Sequence, residues 1–387
     1  MKAPPAIGLS LMLILGGLSA LGSLGIHALV PAMPAAAADL DVAPGLMQLA
    51  ISVYLGALAV GQLFGGWLSD FQGRRRVLLA GAGLYVFGSL AAALAPGLGL
   101  LLAARVAQGI GGACGLVVAR SIVVDLAGAE DTTSRLAILA TIGFVSPALA
   151  PLAGGVLVEL GSWRLVFAVL GGLGLVGLLG ALRIPEARGL AERDRLSAGA
   201  FVSLLANGTF RRYALINIGA TIGMFVFLTA SAFLLRDLYQ LHGAEAGLPY
   251  LLVACGVASG ALLVGRLERK RGGRGLAIGI SLYFAGAAAM LVYGLVADNV
   301  VALVGPMVFV GLGSGMIGPT CLSGALRADS RYIGTASSLF GALQIAGGAG
   351  ASLLAAALYR PSVLAVAAPL LTAATIMVLI AWLSRPR

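Results

Sequence analysis

Twelve apolar runs follow one another along this chain, each about twenty residues long and nearly free of charge. They lie near 7–30, 46–69, 77–95, 98–121, 136–158 and 164–183, then near 213–235, 246–266, 275–296, 299–323, 334–357 and 361–383. A run of that length crosses the hydrocarbon core of a bilayer as a helix. Lipid offers no hydrogen-bond partners, so the backbone must satisfy itself, as a helix does. The pattern therefore predicts an all-α membrane protein of twelve transmembrane helices. Composition agrees, with 60% hydrophobic and 10% charged residues. The alternative, a soluble core rich in Ala and Gly, has no need of so much apolar surface. The 57 glycines suit helices that pack closely through small residues.

The net charge of +10 would also fit a nucleic-acid partner. Here, however, the basic residues recur in short segments between the runs. With the N-terminus inside, Lys2, Arg74–Arg76, Arg135, Arg183, Arg211, Arg212, Arg266, Arg274 and Arg327 all fall on the inner side. Arg164, Arg236 and Arg360 fall on the outer side, and Arg105 and Arg120 lie within the fourth run. That asymmetry predicts both termini in the cytoplasm and no nucleic-acid partner. Lys2 and Ala36-Ala37-Ala38 imitate a secretory leader, but the first run exceeds an ordinary leader core and is read as a retained span. Cys114, Cys255 and Cys321 all sit in apolar runs without metal-ligand spacing. They read as packing residues rather than a disulfide framework, and no metal or cofactor is implied.

A polar stretch at 184–212 divides the chain into a six-span bundle at 1–183 and another at 213–387. The halves echo each other. Shifted by 199 residues, Gly66, Leu68, Gly73 and Arg75 fall on Gly265, Leu267, Gly272 and Arg274. Gly109 and Gly111 recur as Gly311 and Gly313. Two pseudo-symmetric six-helix bundles are how a transporter rocks about a central site.

Three short patterns carry chemistry. The first is Gly66-Trp67-Leu68-Ser69-Asp70-Phe71-Gln72-Gly73-Arg74-Arg75-Arg76. An acid, a turn glycine and three arginines cannot sit in hydrocarbon, so this reads as a tight loop at a membrane face. It resembles the signature loop between spans two and three of major facilitator transporters. The resemblance implies a gate in which Asp70 pairs, in one conformation, with a basic residue of a neighbouring helix, and Arg120 is the candidate. Plain anchoring by positive charge accounts for the same arginines. Phe71 stands where the family has a basic residue.

The second pattern, Arg105-Val106-Ala107-Gln108-Gly109-Ile110-Gly111, is similar to the family's Arg-x-x-Gln-Gly-x-Gly span. An arginine inside a span is costly and marks a functional candidate. Arg105 and Gln108, three apart, share a helix face. The resemblance links this arginine to proton transfer, while a structural arginine bonded to backbone carbonyls is the alternative. The third, Pro147-Ala148-Leu149-Ala150-Pro151-Leu152-Ala153-Gly154-Gly155, resembles the antiporter signature, with Ala150 replacing its first glycine. It suits a kinked span bending against span eight, or simple close packing.

In span one, Ser19, Ser23 and His27 recur every four residues, just before Pro31 and Pro34. The segment His27-Ala28-Leu29-Val30-Pro31-Ala32-Met33-Pro34 resembles the span-one exit of bicyclomycin- and chloramphenicol-resistance exporters (the Bcr/CflA group), where an acid usually stands at the His27 position. No Asp or Glu lies deep in any run. His is the embedded side chain whose unperturbed pKa, about 6.5, suits proton exchange. His27 is thus the candidate proton carrier, or else a residue that bonds a serine or lines the substrate site.

The resemblance implies proton-coupled efflux of small amphiphilic drugs by a monomer of the bacterial cytoplasmic membrane. Ser19, Ser23, Ser52, Tyr54, Gln108, Asn217 and Gln344 are the candidate substrate contacts. Without embedded acids, neutral or weakly anionic substrates fit better than dications. The alternative within transport is a metabolite or sugar exporter or facilitator with no proton coupling. An enzyme is disfavoured, since no paired carboxylates, metal cluster or nucleophile triad appears.

Overall fold

A computed structural model describes residues 8–126, 129–184, 198–271, 274–297, 299–329 and 332–383. Among them no strand occurs. The helices, in order, are α1 (Leu9–His27), α2 (Met33–Asp39), α3 (Pro44–Gln72), α4 (Arg74–Ala93), α5 (Leu98–Leu126), α6 (Ala129–Leu160) and α7 (Trp163–Ala181). There follow α8 (Ala198–Ala206), α9 (Gly208–Asp237), α10 (Gly243–Arg271), α11 (Gly275–Val296), α12 (Val300–Leu326), α13 (Ile333–Ala357) and α14 (Val363–Leu383). Among the described residues, 11 helical segments are long and apolar enough to cross a membrane, the first running from Leu9 to Asp39. The twelfth expected span is α6, whose apolar part is Val145–Leu160. Large apolar side chains such as Leu13, Phe64, Phe87, Val176, Leu262 and Val292 are exposed on the helix faces. In water such surfaces would aggregate, whereas lipid covers them.

Two compact units emerge. The first holds residues 1–40 and 53–195, and the second 41–52 and 196–387, so the division falls inside α3. Most of the expected linker, 185–197, lies outside the described residues. The described remainder contains α8, a short helix the apolar pattern did not announce.

In the first unit, Pro31 and Pro34 interrupt the first span. A single 3-10 turn, Val30–Ala32, separates α1 from α2. Pro removes a backbone donor, and this turn absorbs the loss. At the end of α2, Asp39 accepts hydrogen bonds from Arg164 and, at 3.1 Å, from Trp163 Nε1. Arg164 also donates to the carbonyl of Ala95 at 3.0 Å and lies over the Trp163 ring. This bracket ties α2, α7 and the end of α4 together.

The 66–76 segment is mostly helix rather than loop. Gly73 alone separates α3 from α4, with φ 95°. A side chain there would be strained, which is why this one position needs glycine. Arg74 then begins α4 and reaches back to Asp70 and across to Asp125, 3.0 Å away. It also donates to Ser69 Oγ at 2.6 Å. Arg75 donates to the carbonyl of Leu182 beyond α7.

The internal repeat is visible in how helices cross. In the first unit, a Cβ added at Gly111 would lie 2.5 Å from the Gly81 oxygen and from the Tyr85 nitrogen. In the second, one added at Gly313 would lie 2.5 Å from the Gly279 oxygen and 2.7 Å from the Tyr283 nitrogen. The same backbone approach is thus built twice, once from α4 and α5 and once from α11 and α12.

Candidate functional site

Arg105 is wholly buried in α5, inside the first unit. Burying a guanidinium is costly unless its charge and donors are answered. Its Nη1 donates to Gln108 Oε1, one turn along the same helix. Its guanidinium carbon lies 3.9 Å from the centre of the Tyr54 ring and 5.7 Å from that of Phe167. Stacking on an aromatic face is worth about 2 kcal/mol or more when water is excluded. Tyr54 is itself fixed, because its hydroxyl donates to the Gly22 carbonyl of α1 at 2.9 Å. Gly109 admits this packing. A Cβ there would lie 2.7 Å from the Tyr54 carbonyl oxygen.

Gln108 is held on its other side. Its Nε2 donates to Ser89 Oγ of α4 at 2.8 Å, and Ser89 donates to the Tyr85 carbonyl at 2.7 Å. The Tyr85 hydroxyl then donates to the Leu21 carbonyl at 3.0 Å. Two tyrosines therefore grip consecutive carbonyls of α1, and Arg105 rests on one of them. The expected pair of Arg105 and Gln108 on one helix face is present. Ser89, Tyr85 and Phe167 complete the cluster and were not foreseen.

His27 ends α1 about one turn beyond the carbonyls held by the tyrosines. Its Nδ1 lies 2.9 Å from the Ser23 carbonyl and 3.4 Å from the Ser23 hydroxyl. A carbonyl only accepts, so Nδ1 carries the proton and Nε2 keeps the lone pair in the neutral ring. Ser19 is buried one turn before Ser23. Gly154 of α6 meets this end of α1 directly: a Cβ there would lie 2.1 Å from the Ala28 oxygen. The proline-glycine helix therefore packs on span one within its own unit. Pro147 and Pro151 lie inside α6, and Gly155 is buried beside Gly154.

Asp70 pairs with Arg74, and among the described residues no ion pair joins it to Arg120. The reason is local. Arg74 follows Asp70 by one helical turn across the Gly73 break and so reaches both Asp70 and Asp125. Arg120 is exposed on α5. Gly66 lies within α3, where a Cβ would meet Val117 of α5 at 3.2 Å, so it serves helix packing rather than a loop.

The remaining candidates belong to the second unit. Ser52 donates to Ser352 Oγ of α13 at 2.9 Å, and Thr229 of α9 donates to the same oxygen at 3.0 Å. Asn217 is buried in α9, and its Nδ2 has no partner among the described residues. Gln344 is half-buried on α13. Among the described residues no His, Cys, Asp and Glu side chains group as a metal site.

The family model for the Major Facilitator Superfamily matches residues 13–352. The chain belongs to that superfamily. It is a transporter and a multipass protein of the cytoplasmic membrane, not an enzyme. Multidrug resistance protein D of Escherichia coli is 30% identical over 362 residues, covering 92% of this chain and 90% of its own length. The chloramphenicol resistance protein of Pseudomonas aeruginosa is 29% identical over 339 residues, covering 85% and 79%. Among solved structures, the xylose transporter XylE of E. coli, in a partially occluded inward-open conformation, matches with TM-score 0.73 and 16% identity over 97% of both chains. At that identity the match speaks for the major facilitator fold alone.

Proposed function

We propose that this transporter exports small amphiphilic compounds, neutral or weakly anionic, in exchange for protons. Its relatives named for multidrug and chloramphenicol resistance support the substrate class. The observation that carries the reading is the pairing of two embedded basic groups with one tyrosine-braced helix. Arg105 stacks on Tyr54, Tyr54 is bonded to α1, and α1 ends in His27 with its Nδ1 pinned. Pinning Nδ1 leaves Nε2 as the atom that gains and loses the proton. His27 loads from outside and releases inside, and substrate competes with the proton for the same state of the protein. Arg105 contributes a fixed positive charge in a medium where charges act over long distances.

Tyr54, Gln108 and Ser52 have their polar groups bonded within the protein; in the second unit Asn217 and Gln344 offer polar contacts to substrate, and the chain works as a monomer with both termini inside. Of these, Asn217 has an open donor, suited to a carbonyl or hydroxyl oxygen of a neutral compound. The superfamily transports by alternating access, and the ion pairs of Arg74 with Asp70 and Asp125 hold the inner ends of α3, α4 and α5 in one of the alternating states.

The test is an efflux screen in cells lacking other exporters, comparing wild type with His27→Asp and His27→Ala. Wild type and His27→Asp should lower accumulation of at least one amphiphilic antibiotic, and His27→Ala should not. Full efflux by His27→Ala would remove His27 from the coupling step.

A further inference from the structure

The Arg105 cluster contains a residue that touches neither end of the proposed chemistry yet fixes its geometry. We infer that Ser89 is a positioning residue for Arg105, acting through Gln108. A serine hydroxyl has one proton to give. In Ser89 that proton goes to the Tyr85 carbonyl, at 2.7 Å. Its oxygen can then only accept, and the group facing it at 2.8 Å must be a donor. That requirement sets the Gln108 amide with Nε2 toward Ser89 and Oε1 toward Arg105, where Nη1 donates to it. The reversed amide would bring N–H against N–H at Arg105 and leave the Ser89 oxygen facing another acceptor. All three residues are buried, where each unmade bond costs its full desolvation. One hydroxyl on α4 thereby selects the orientation of an amide on α5, and the amide fixes the guanidinium over Tyr54.

The internal repeat gives an independent reason to connect these three residues. Gly88 of α4 meets the Ala104 oxygen and the Gln108 nitrogen, at 2.8 and 2.5 Å from an added Cβ. Gly286 of α11 meets the Pro306 oxygen and the Val310 nitrogen, at 2.7 and 2.9 Å. The two crossings correspond residue for residue, so Ser89 matches Ala287, Arg105 matches Met307 and Gln108 matches Val310. Tyr85 is kept as Tyr283, whose hydroxyl likewise reaches a carbonyl, that of Gly219. The scaffold is retained in both halves, while hydroxyl, guanidinium and amide are absent together from the second.

The test is a double-mutant cycle of wild type, Ser89→Ala, Gln108→Met and the double variant, with two readouts. The first is the guanidinium resonance of Arg105 in arginine-labelled protein, assigned by its loss in Arg105→Lys. The second is the pH profile of substrate transport, and that arm alone rests on the proton-coupled reading. Ser89→Ala should shift or broaden the Arg105 resonance and slow transport about fivefold, the effect of about one buried hydrogen bond. In the Gln108→Met background the same substitution should move neither readout appreciably, because its intermediary is gone. An unmoved Arg105 resonance in Ser89→Ala would overturn the inference, and so would an undiminished effect in the Gln108→Met background. Should transport prove indifferent to protons, the resonance still decides the role of Ser89.

Discussion

Replacing Gly154 with alanine forces apart two helices that meet at the most consequential turn of span one. The added Cβ would lie 2.1 Å from the Ala28 oxygen and 2.9 Å from its carbonyl carbon. An ordinary carbon–oxygen contact begins near roughly 3.3 Å, so α6 and α1 must separate by about 1 Å. Both offending atoms are backbone, and no side-chain rotation relieves them. Overpacking of this kind costs about 1–3 kcal/mol, against a gain of about 1 kcal/mol in helix propensity. The control is Gly83→Ala in α4, where nothing lies within 4 Å of the added atom. There the propensity gain of up to about 1 kcal/mol stands unopposed. Unfolding in mixed detergent and SDS should rank Gly154→Ala below wild type and Gly83→Ala at or above it, with a gap of roughly 1–3 kcal/mol. Because Ala28 follows His27, Gly154→Ala should also blunt the pH response of transport. Equal stability of the two variants would refute the contact.

Arg74→Gln should cost about 3–5 kcal/mol, because Asp125, with a side chain only 6% exposed, is left without its cation. Arg120→Gln should stay within about 0.5 kcal/mol by the same unfolding assay. Tyr54→Phe should lose about 0.5–1.5 kcal/mol with its bond to Gly22, and Tyr54→Leu should lose more because the ring under Arg105 goes too. Ser352→Ala should destabilise by about 1–3 kcal/mol, since the buried Thr229 hydroxyl loses its acceptor. A double-mutant cycle with Thr229→Val should show the two effects to be less than additive.

The sequence made legible whatever depends on neighbours along the chain. Span lengths follow from runs of apolar residues, the break at Gly73 from a glycine among charges, and the Arg105–Gln108 pair from a spacing of three. What it concealed depends on contacts across helices. Ser89 is one serine in an apolar run, and only the crossing at Gly88 brings it to Gln108. The seat of Gly154 on Ala28 likewise has no local signature. Charge sign alone offers Asp70 many basic partners, Arg120 among them, whereas the pairing in this structure, with Arg74 one helical turn on, depends on the break at Gly73. The first run ends near 30, just before Pro31 and Pro34, whereas the helix resumes past the 3-10 turn as α2, a continuation that two prolines conceal.

The central claim is that protons drive export through His27. Purified protein in liposomes, loaded with substrate and given an imposed pH gradient, tests it most directly. With the lumen acidic, wild type should accumulate substrate against its gradient as protons leave, alkalinising the lumen in step, while His27→Ala should do neither but still exchange substrate down its gradient. Substrate movement by wild type that ignores the pH gradient, or gradient-driven transport retained in His27→Ala, would contradict it.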